Sequence, residues 1–306
     1  MTLKLRRHVG GFLPFALTLI LFLLLLAFPK AVSAGVREGL LITYRNVLPA
    51  ILPFMIFADL IASFERDRLT SLVDRPICTL FHLPKGTSSI ALIGAISGYP
   101  IGARLTRAVY DAGKVSSREA SYLLYLSSIA SPAFVITGIG LGVLNDPAIG
   151  IRLYLISLIS HLLSAVILRP PASNAELCSV SKSRTGTRPS LSMAIRHAAD
   201  SAIVITVTIA FFSALSALAS QIITSKTIAA LVAGILEIGS GSSAITSSFS
   251  TTAFPILAFA ISFSGISVCC QIKSIVSDTD IPMQTYILGK LLSASLALTL
   301  GFLLRP

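Results

Sequence analysis

Charged residues are scarce in this sequence. They occupy 12% of its 306 positions, against 54% for hydrophobic residues, and a water-soluble domain of this size carries roughly twice that charged fraction. Water is therefore not the main solvent of the chain. Cys78, Cys178, Cys269 and Cys270 form no CxxC pair and have no histidine at zinc spacing, so neither a metal site nor a disulfide framework is indicated, and no cofactor is expected. A GxxxxGK[ST] loop, an HExxH pair and a GxSxG elbow are also missing, which argues against an ATP-driven pump, a zincin and a hydrolase, and against an enzyme altogether. Negative charge is short too, leaving a formal +11. The basic residues are spread over short loops with no aromatic-interleaved patch, so nucleic acid is not the expected partner. The same charges follow from the positive-inside rule of membrane proteins.

What is present is a series of apolar runs, each near the roughly 20 helical residues that cross about 30 Å of hydrocarbon. They lie at Gly11–Phe28, Gly39–Phe64, Pro147–Leu168, Ala202–Ala219, Thr252–Val268 and Met283–Leu304. None alternates apolar with polar residues, which excludes a β-barrel. Lys4, Arg6 and Arg7 before the first run resemble a signal peptide, and Val32-Ser33-Ala34 resembles a cleavage site, but the run exceeds a usual signal core and is read as a retained helix. The reading is a multi-pass protein of the cell membrane with a cytoplasmic amino terminus. The bilayer is its first partner, and a homo-oligomer is left open.

Two segments are too polar or too interrupted for simple spans. In Thr87–Gly113 an apolar half runs into Ser97-Gly98-Tyr99-Pro100, and the other half carries Arg104, Arg107 and Asp111; a helical hairpin dipping in from the cytoplasm fits it. Glu119–Leu144 crosses outward but is interrupted at Ser131-Pro132, where proline removes a donor and disfavours helix at Ser131. After a polar cytoplasmic linker, 169–189, the plan recurs: a span, a hairpin at 227–250 interrupted at Gly239-Ser240-Gly241-Ser242, a span at 252–277 interrupted at Ser264-Gly265, and a last helix. The expected fold is all-α, with about seven spanning helices, two re-entrant hairpins and two unwound helices. Residues 1–38 form a first helix and external link, 39–168 the first repeat and 190–306 the second. On this topology the hairpins enter from opposite faces, and inverted repeats of discontinuous helices mark secondary transporters.

Irregular backbone inside a bilayer is tolerated only where protein or water satisfies it, so the four interruptions are expected to line one cavity. Half-helices starting there aim unpaired N–H groups and a positive dipole end at a ligand, a geometry suited to anions. Pro100 and Pro132 suit such starts. Asp59 and Glu237 are singled out as ionisable groups deep within apolar segments, with water or Arg66 able to solvate Asp59. Arg104 is a candidate countercharge for an anion. Tyr99, Ser128, Ser131, Thr137, Ser267 and Gln271 offer hydrogen bonds near the interruptions. His161 is read as a neutral residue bonded to a neighbour. The site for a small-molecule substrate thus comprises Ser97, Gly98, Tyr99, Pro100, Arg104, Ser131, Pro132, Glu237, Gly239, Ser240, Ser264, Gly265, Ser267 and Gln271, with no metal ligands and with H+ or Na+ left open as a coupling ion.

The runs Val47-Leu48-Pro49-Ala50-Ile51-Leu52-Pro53-Phe54, Ile96-Ser97-Gly98-Tyr99-Pro100-Ile101-Gly102-Ala103, Gly234-Ile235-Leu236-Glu237 and Phe263-Ser264-Gly265-Ile266-Ser267-Val268 together resemble the YlbJ-type sporulation integral membrane proteins. That family carries the nucleoside-recognition, or Gate, domain, shared with concentrative nucleoside transporters. The resemblance implies two hairpins and two unwound helices around a substrate, with Glu237 at the acidic hairpin position and Gly265 at the glycine of the second unwound helix. This chain has Ser131 where the family often shows Asn before proline, and Cys270 where it often has His before Gln271. The resemblance further implies transport, in the sporulation branch of dipicolinate. Nucleoside transport, or a non-transporting assembly role, are the alternatives.

Overall fold

The structure, a computed structural model, describes residues 2–63, 70–171 and 190–305. Arg66, Arg68 and nearly all of the linker read over 169–189 lie outside them. Every regular element among the described residues is a helix. Helix α1 (Thr2–Ala27) gives way at Phe28 to α2 (Pro29–Ile42), which opens on proline, a residue whose missing N–H costs nothing in a first turn. The external link expected before residue 39 is therefore helix. Helix α2 continues through a π-helical stretch, Thr43–Val47, into α3 (Leu48–Ser63). The widened turn falls just before Pro49, which has no N–H for the carbonyl four residues back.

There follow α4 (Thr70–Phe81), α5 (Ser88–Ser97), α6 (Ile101–Asp111) and α7 (Ser117–Leu126), then a π-helical half-helix, Ala133–Leu141, and α8 (Pro147–Leu168). The carboxyl-terminal part comprises α9 (Leu191–Ile222), α10 (Lys226–Leu236), α11 (Ile238–Ser248), α12 (Ala253–Phe263), α13 (Gly265–Ile275) and α14 (Gln284–Leu303). Several helix starts carry side-chain caps. Ser116 and Glu119 form a reciprocal capping box at α7, Asp146 accepts from Ala148 and Ile149 at α8, and Ser190 and Ser225 cap α9 and α10.

Among the described residues, five stretches are long and apolar enough to cross a membrane: Pro29–Ile61, Pro147–Leu168, Leu191–Ile222, Ala253–Ile275 and Gln284–Leu303. The other two expected spans are helical but shorter. Leu13–Ala27 is a short apolar helix, and the run over 119–144 is divided into pieces of 10 and 9 residues. Large apolar side chains face outward in helical stripes, Leu155, Ile159 and Leu163 on α8 and Ile203, Val207 and Phe211 on α9, as contact with lipid rather than water requires.

Helices approach closely where glycine replaces a side chain, the usual device in membranes, where burial away from water does not drive association. A Cβ on Gly35 or Gly39 of α2 would lie 2.7–2.8 Å from α9 atoms, and one on Gly140 would lie 2.7 Å from the Gly150 Cα of α8. Gly289 of α14 leaves a slot filled by the Tyr125 ring of α7. Gly94 of α5 and Gly102 of α6 both abut the Ser127 carbonyl, so these helices fold back side by side against the end of α7. In the second part Gly234 of α10 and Gly241 of α11 touch each other, and the Cβ position of Gly234 also meets Ala260 of α12. The scaffold is crossed between the parts: α14 packs on α12 and reaches α7, and α8 packs beside residues 133–141 and reaches α12.

Outside the spans, Asp74 of α4 accepts hydrogen bonds from the Gly86 N–H and from Ser88 Oγ at 2.5 Å, tying α4 to the start of α5. Partial burial pushes its carboxyl up, and the bonds from Ser88, Gly86 and Cys78 outweigh that, holding it below the usual aspartate value of 3.8. The carboxylate thus favours the folded state above that value and loses its contribution as pH falls through its lower folded value. Thermal unfolding in detergent should show Asp74→Asn less stable than wild type at pH 7, with the difference vanishing under strong acid. Gly102→Val, whose Cβ meets a carbonyl at 2.1 Å, should destabilise by about 1–3 kcal/mol or more. Gly113→Ala, with open space around it and φ of 66°, should cost only the backbone strain, about 1 kcal/mol.

Candidate functional site

Four interruptions lie inside the helical body. At the first, α5 ends on Ser97, Gly98 adopts φ of 78°, Tyr99-Pro100 is cis, and α6 begins at Ile101. At the second, residues 127–131 leave the helix and Pro132 leads into the half-helix. At the fourth, Ser264 is left-handed with φ of 74°, and Gly265 has φ of 78°. These three fall where the sequence places them. The third does not. Its single non-helical residue is Glu237, with φ −152° and ψ 128°, and Gly239-Ser240-Gly241-Ser242 is regular helix inside α11. The reason is a cap. The Glu237 carboxylate accepts from the Gly239 and Ser240 N–H groups, both at 2.7 Å, and from Ser240 Oγ at 3.0 Å. The glycines serve close packing, not flexibility.

The interruptions meet in pairs. A Cβ on Gly98 would lie 2.9 Å from the Ser131 N, and the Tyr99 N–H donates to the Ile129 carbonyl at 3.3 Å. A Cβ on Gly265 would lie 3.2 Å from the Leu236 carbonyl and 3.4 Å from the Glu237 Cα. Between the pairs is a cavity of about 40 Å³, room for only a few waters. Tyr99, Ser131, Glu237, Ser267 and Gln271 supply its polar wall, and Val47, Ile51, Phe134, Ile205 and Ile209 are among its apolar lining. The first three interruptions and the half-helix after the fourth thus share one space. Glu237 is 1% exposed, and Ser267 likewise, with a hydroxyl that has no partner.

Backbone groups released at the second interruption are met by the scaffold. His161 Nε2 lies 3.2 Å from the Leu126 carbonyl, the last of α7, and its ring packs on Tyr125 at 4.5 Å. It is a structural partner, as read from sequence. Ser131 Oγ accepts from the Phe134 N–H at 3.2 Å, and apart from the interruption Tyr122 of α7 ties to α8 by donating to the Ala165 carbonyl at 2.8 Å.

The remaining site residues are placed as follows. Ser97 Oγ bonds back to the Ile93 carbonyl at 2.6 Å. Arg104 lies away from the central cavity and donates to the His197 carbonyl at 3.2 Å and Ser201 Oγ at 3.0 Å on α9. Beside it, Asp59 meets His197 Nδ1 at 2.8 Å, while Arg66, the arginine considered from sequence, lies outside the described residues. Lys290 was not anticipated. It stands on α14 at 1% exposure, with Nζ 2.9 Å from Ser264 Oγ and 5.6 Å from the centre of the Tyr99 ring. A lone cation within an apolar run was the available signal, by the argument that picks out Glu237.

One comparison with known proteins bears on these residues. The chain is 23% identical to the sporulation integral membrane protein YlbJ of Bacillus subtilis, over 90% of its own length and 78% of that protein's. This likeness supports the YlbJ-type family. The chain is accordingly a multi-pass membrane protein related to YlbJ. No family model matches it, and no solved structure does.

The cap makes a prediction for Glu237. Glu237→Ala frees two N–H groups in a buried setting and should destabilise the detergent-solubilised protein by about 1–2 kcal/mol. Glu237→Gln keeps one acceptor oxygen and should lose less. Equal melting of all three proteins would sink the capping role.

Proposed function

We propose that the chain is a secondary transporter of a small organic anion, working by alternating access, and not an enzyme. The observation that carries this reading is the convergence of the interruptions on one polar-walled cavity between two similarly built parts of the chain. Single broken helices are ordinary in membrane proteins, but here the breaks meet in pairs across the cavity.

In this reading the parts are inverted repeats, α5–α6 and α10–α11 are re-entrant hairpins, and seven helices span the cell membrane from a cytoplasmic amino terminus. The recurring contacts support it. Each hairpin rests through a glycine on the helix that precedes the next interruption, Gly94 on Ser127 and Gly234 on Ala260, and the scaffold helices α8 and α14 cross reciprocally between parts. The Gate-domain resemblance points the same way. A cavity of about 40 Å³ cannot admit a ringed dicarboxylate such as dipicolinate until the hairpins part, which is the motion alternating access requires.

An anion is favoured by a second cleft, of about 850 Å³, lined by Lys30, Arg37 and Arg45 together with Glu38 and Ile42. Its volume suits a small organic solute, and its three cations against one carboxylate favour negative charge. Ile42 borders this cleft, and a Cβ on Gly239 would lie 3.2 Å from its Cγ2, so one side chain separates the cleft from the tip of α11.

Proteoliposomes holding the purified protein should take up labelled dipicolinate, in preference to uridine, without ATP. Absence of flux for both would count decisively against transport. Gly239→Leu, which presses on Ile42 and the Glu237 carboxylate, should reduce flux at least tenfold while the protein still folds. At Gly98, positive φ and the Ser131 backbone make a bulky residue a folding defect first.

A further inference from the structure

We infer that Lys290, with the amino end of α13 and Ser267, forms an anion subsite that takes one carboxylate of the solute. The inference deepens the transporter reading and rests on it for its meaning.

Glu237 does not neutralise Lys290. Its carboxylate is already held by two N–H groups and one hydroxyl at the start of α11, so the positive end of that half-helix is answered by the chain's own anion. Among the described residues no carboxylate pairs with Lys290. Its ammonium has three donors, and its one hydrogen bond goes to a neutral hydroxyl, Ser264 Oγ, which turns its own proton toward the Ile261 carbonyl at 3.3 Å. The faces of Tyr99 and Tyr286, at 5.6 and 5.7 Å, add only their quadrupoles. Burial with so little compensation disfavours the ammonium form, and an arriving carboxylate would stabilise it.

The neighbouring backbone points the same way. Helix α13 has 11 residues and starts at the left-handed Ser264, with no side chain capping it. Its first N–H groups therefore have no intrahelical partner, and its dipole adds positive potential where Lys290 already stands. Ser267, in that first turn, is 1% exposed, lines the central cavity, and has a hydroxyl without a partner. The Tyr99 hydroxyl, on the tip between α5 and α6 and on the same cavity, is also unpartnered. The ammonium borders the cavity wall through Ser264 and the Tyr99 ring, while the Ser267 and Tyr99 hydroxyls line the cavity itself, and among the described residues none of these groups pairs with a carboxylate. That asymmetry defines the ligand as anionic.

The test is binding, read separately from flux. Purified full-length protein in detergent is titrated with pyridine-2,6-dicarboxylate and with its uncharged diamide, which keeps the shape and removes the charge. Wild type should prefer the dicarboxylate. Lys290→Met, which removes a buried charge and should fold normally, should weaken dicarboxylate binding by about 30-fold or more while barely changing the diamide. Ser267→Ala should weaken it by less, about tenfold or under. Lys290→Met that keeps the wild-type preference overturns the inference, as does a wild type that binds neither compound or both alike. Lys290-dependent binding without uptake would uphold the subsite and sink the transporter reading.

Discussion

Backbone groups freed in the middle of a membrane protein must find partners inside the protein, because hydrocarbon offers none. That constraint organises this fold. Each interruption releases carbonyls from the helix before it and N–H groups from the helix after it, and the surrounding elements are arranged to receive them. His161 of α8 takes the last carbonyl of α7, Ser131 caps the half-helix that follows it, and Glu237 caps α11. Tyr122 and Tyr125 then use their hydroxyls to fasten α7 to α8. A break that would be a defect in an isolated helix becomes a junction where four or five elements meet.

Glycine is what allows the junctions to be so close. Gly94 and Gly102 sit on the Ser127 carbonyl, Gly241 on Gly234, and Gly265 on the backbone around Glu237. Without side chains at these points, the junctions of α5 with α6 and of α10 with α11 reach the interrupted helices and bring Tyr99, Ser131, Glu237 and Ser267 to one cavity. The polar groups at the centre thereby depend on packing contacts, and the packing on the absence of Cβ atoms.

The electrostatics of the centre are uneven. At α11 the helix end and a carboxylate answer each other within the chain, whereas at α13 the helix end and the Lys290 ammonium stand on the same side of the ledger. The pairing leaves the second place without an answering carboxylate among the described residues. Towards the edge of the body, Arg104, His197, Ser201 and Asp59 form a separate hydrogen-bonded cluster between α3, α6 and α9. Arg104 is engaged there, holding α6 to α9.

The amino-acid sequence determined the solvent, the helical class and the interruptions marked by Ser97–Pro100, Ser131-Pro132 and Ser264-Gly265. Those depend on local properties: length of apolar runs, the missing N–H of proline, and the tolerance of glycine for positive φ. The sequence misled at Gly239–Ser242, because glycine there serves close approach, a property of the neighbouring helix and not of the residue. It left Lys290 unnoticed in an apolar run and assigned Arg104 to the centre, since whether a cation reaches a cavity, a carbonyl or the membrane surface depends on which face of its helix is turned inward. Only the tertiary structure decided that Glu237 answers its own half-helix and that Lys290 meets a hydroxyl and no carboxylate among the described residues, because charge balance in a buried site is set by distances between residues far apart in the chain.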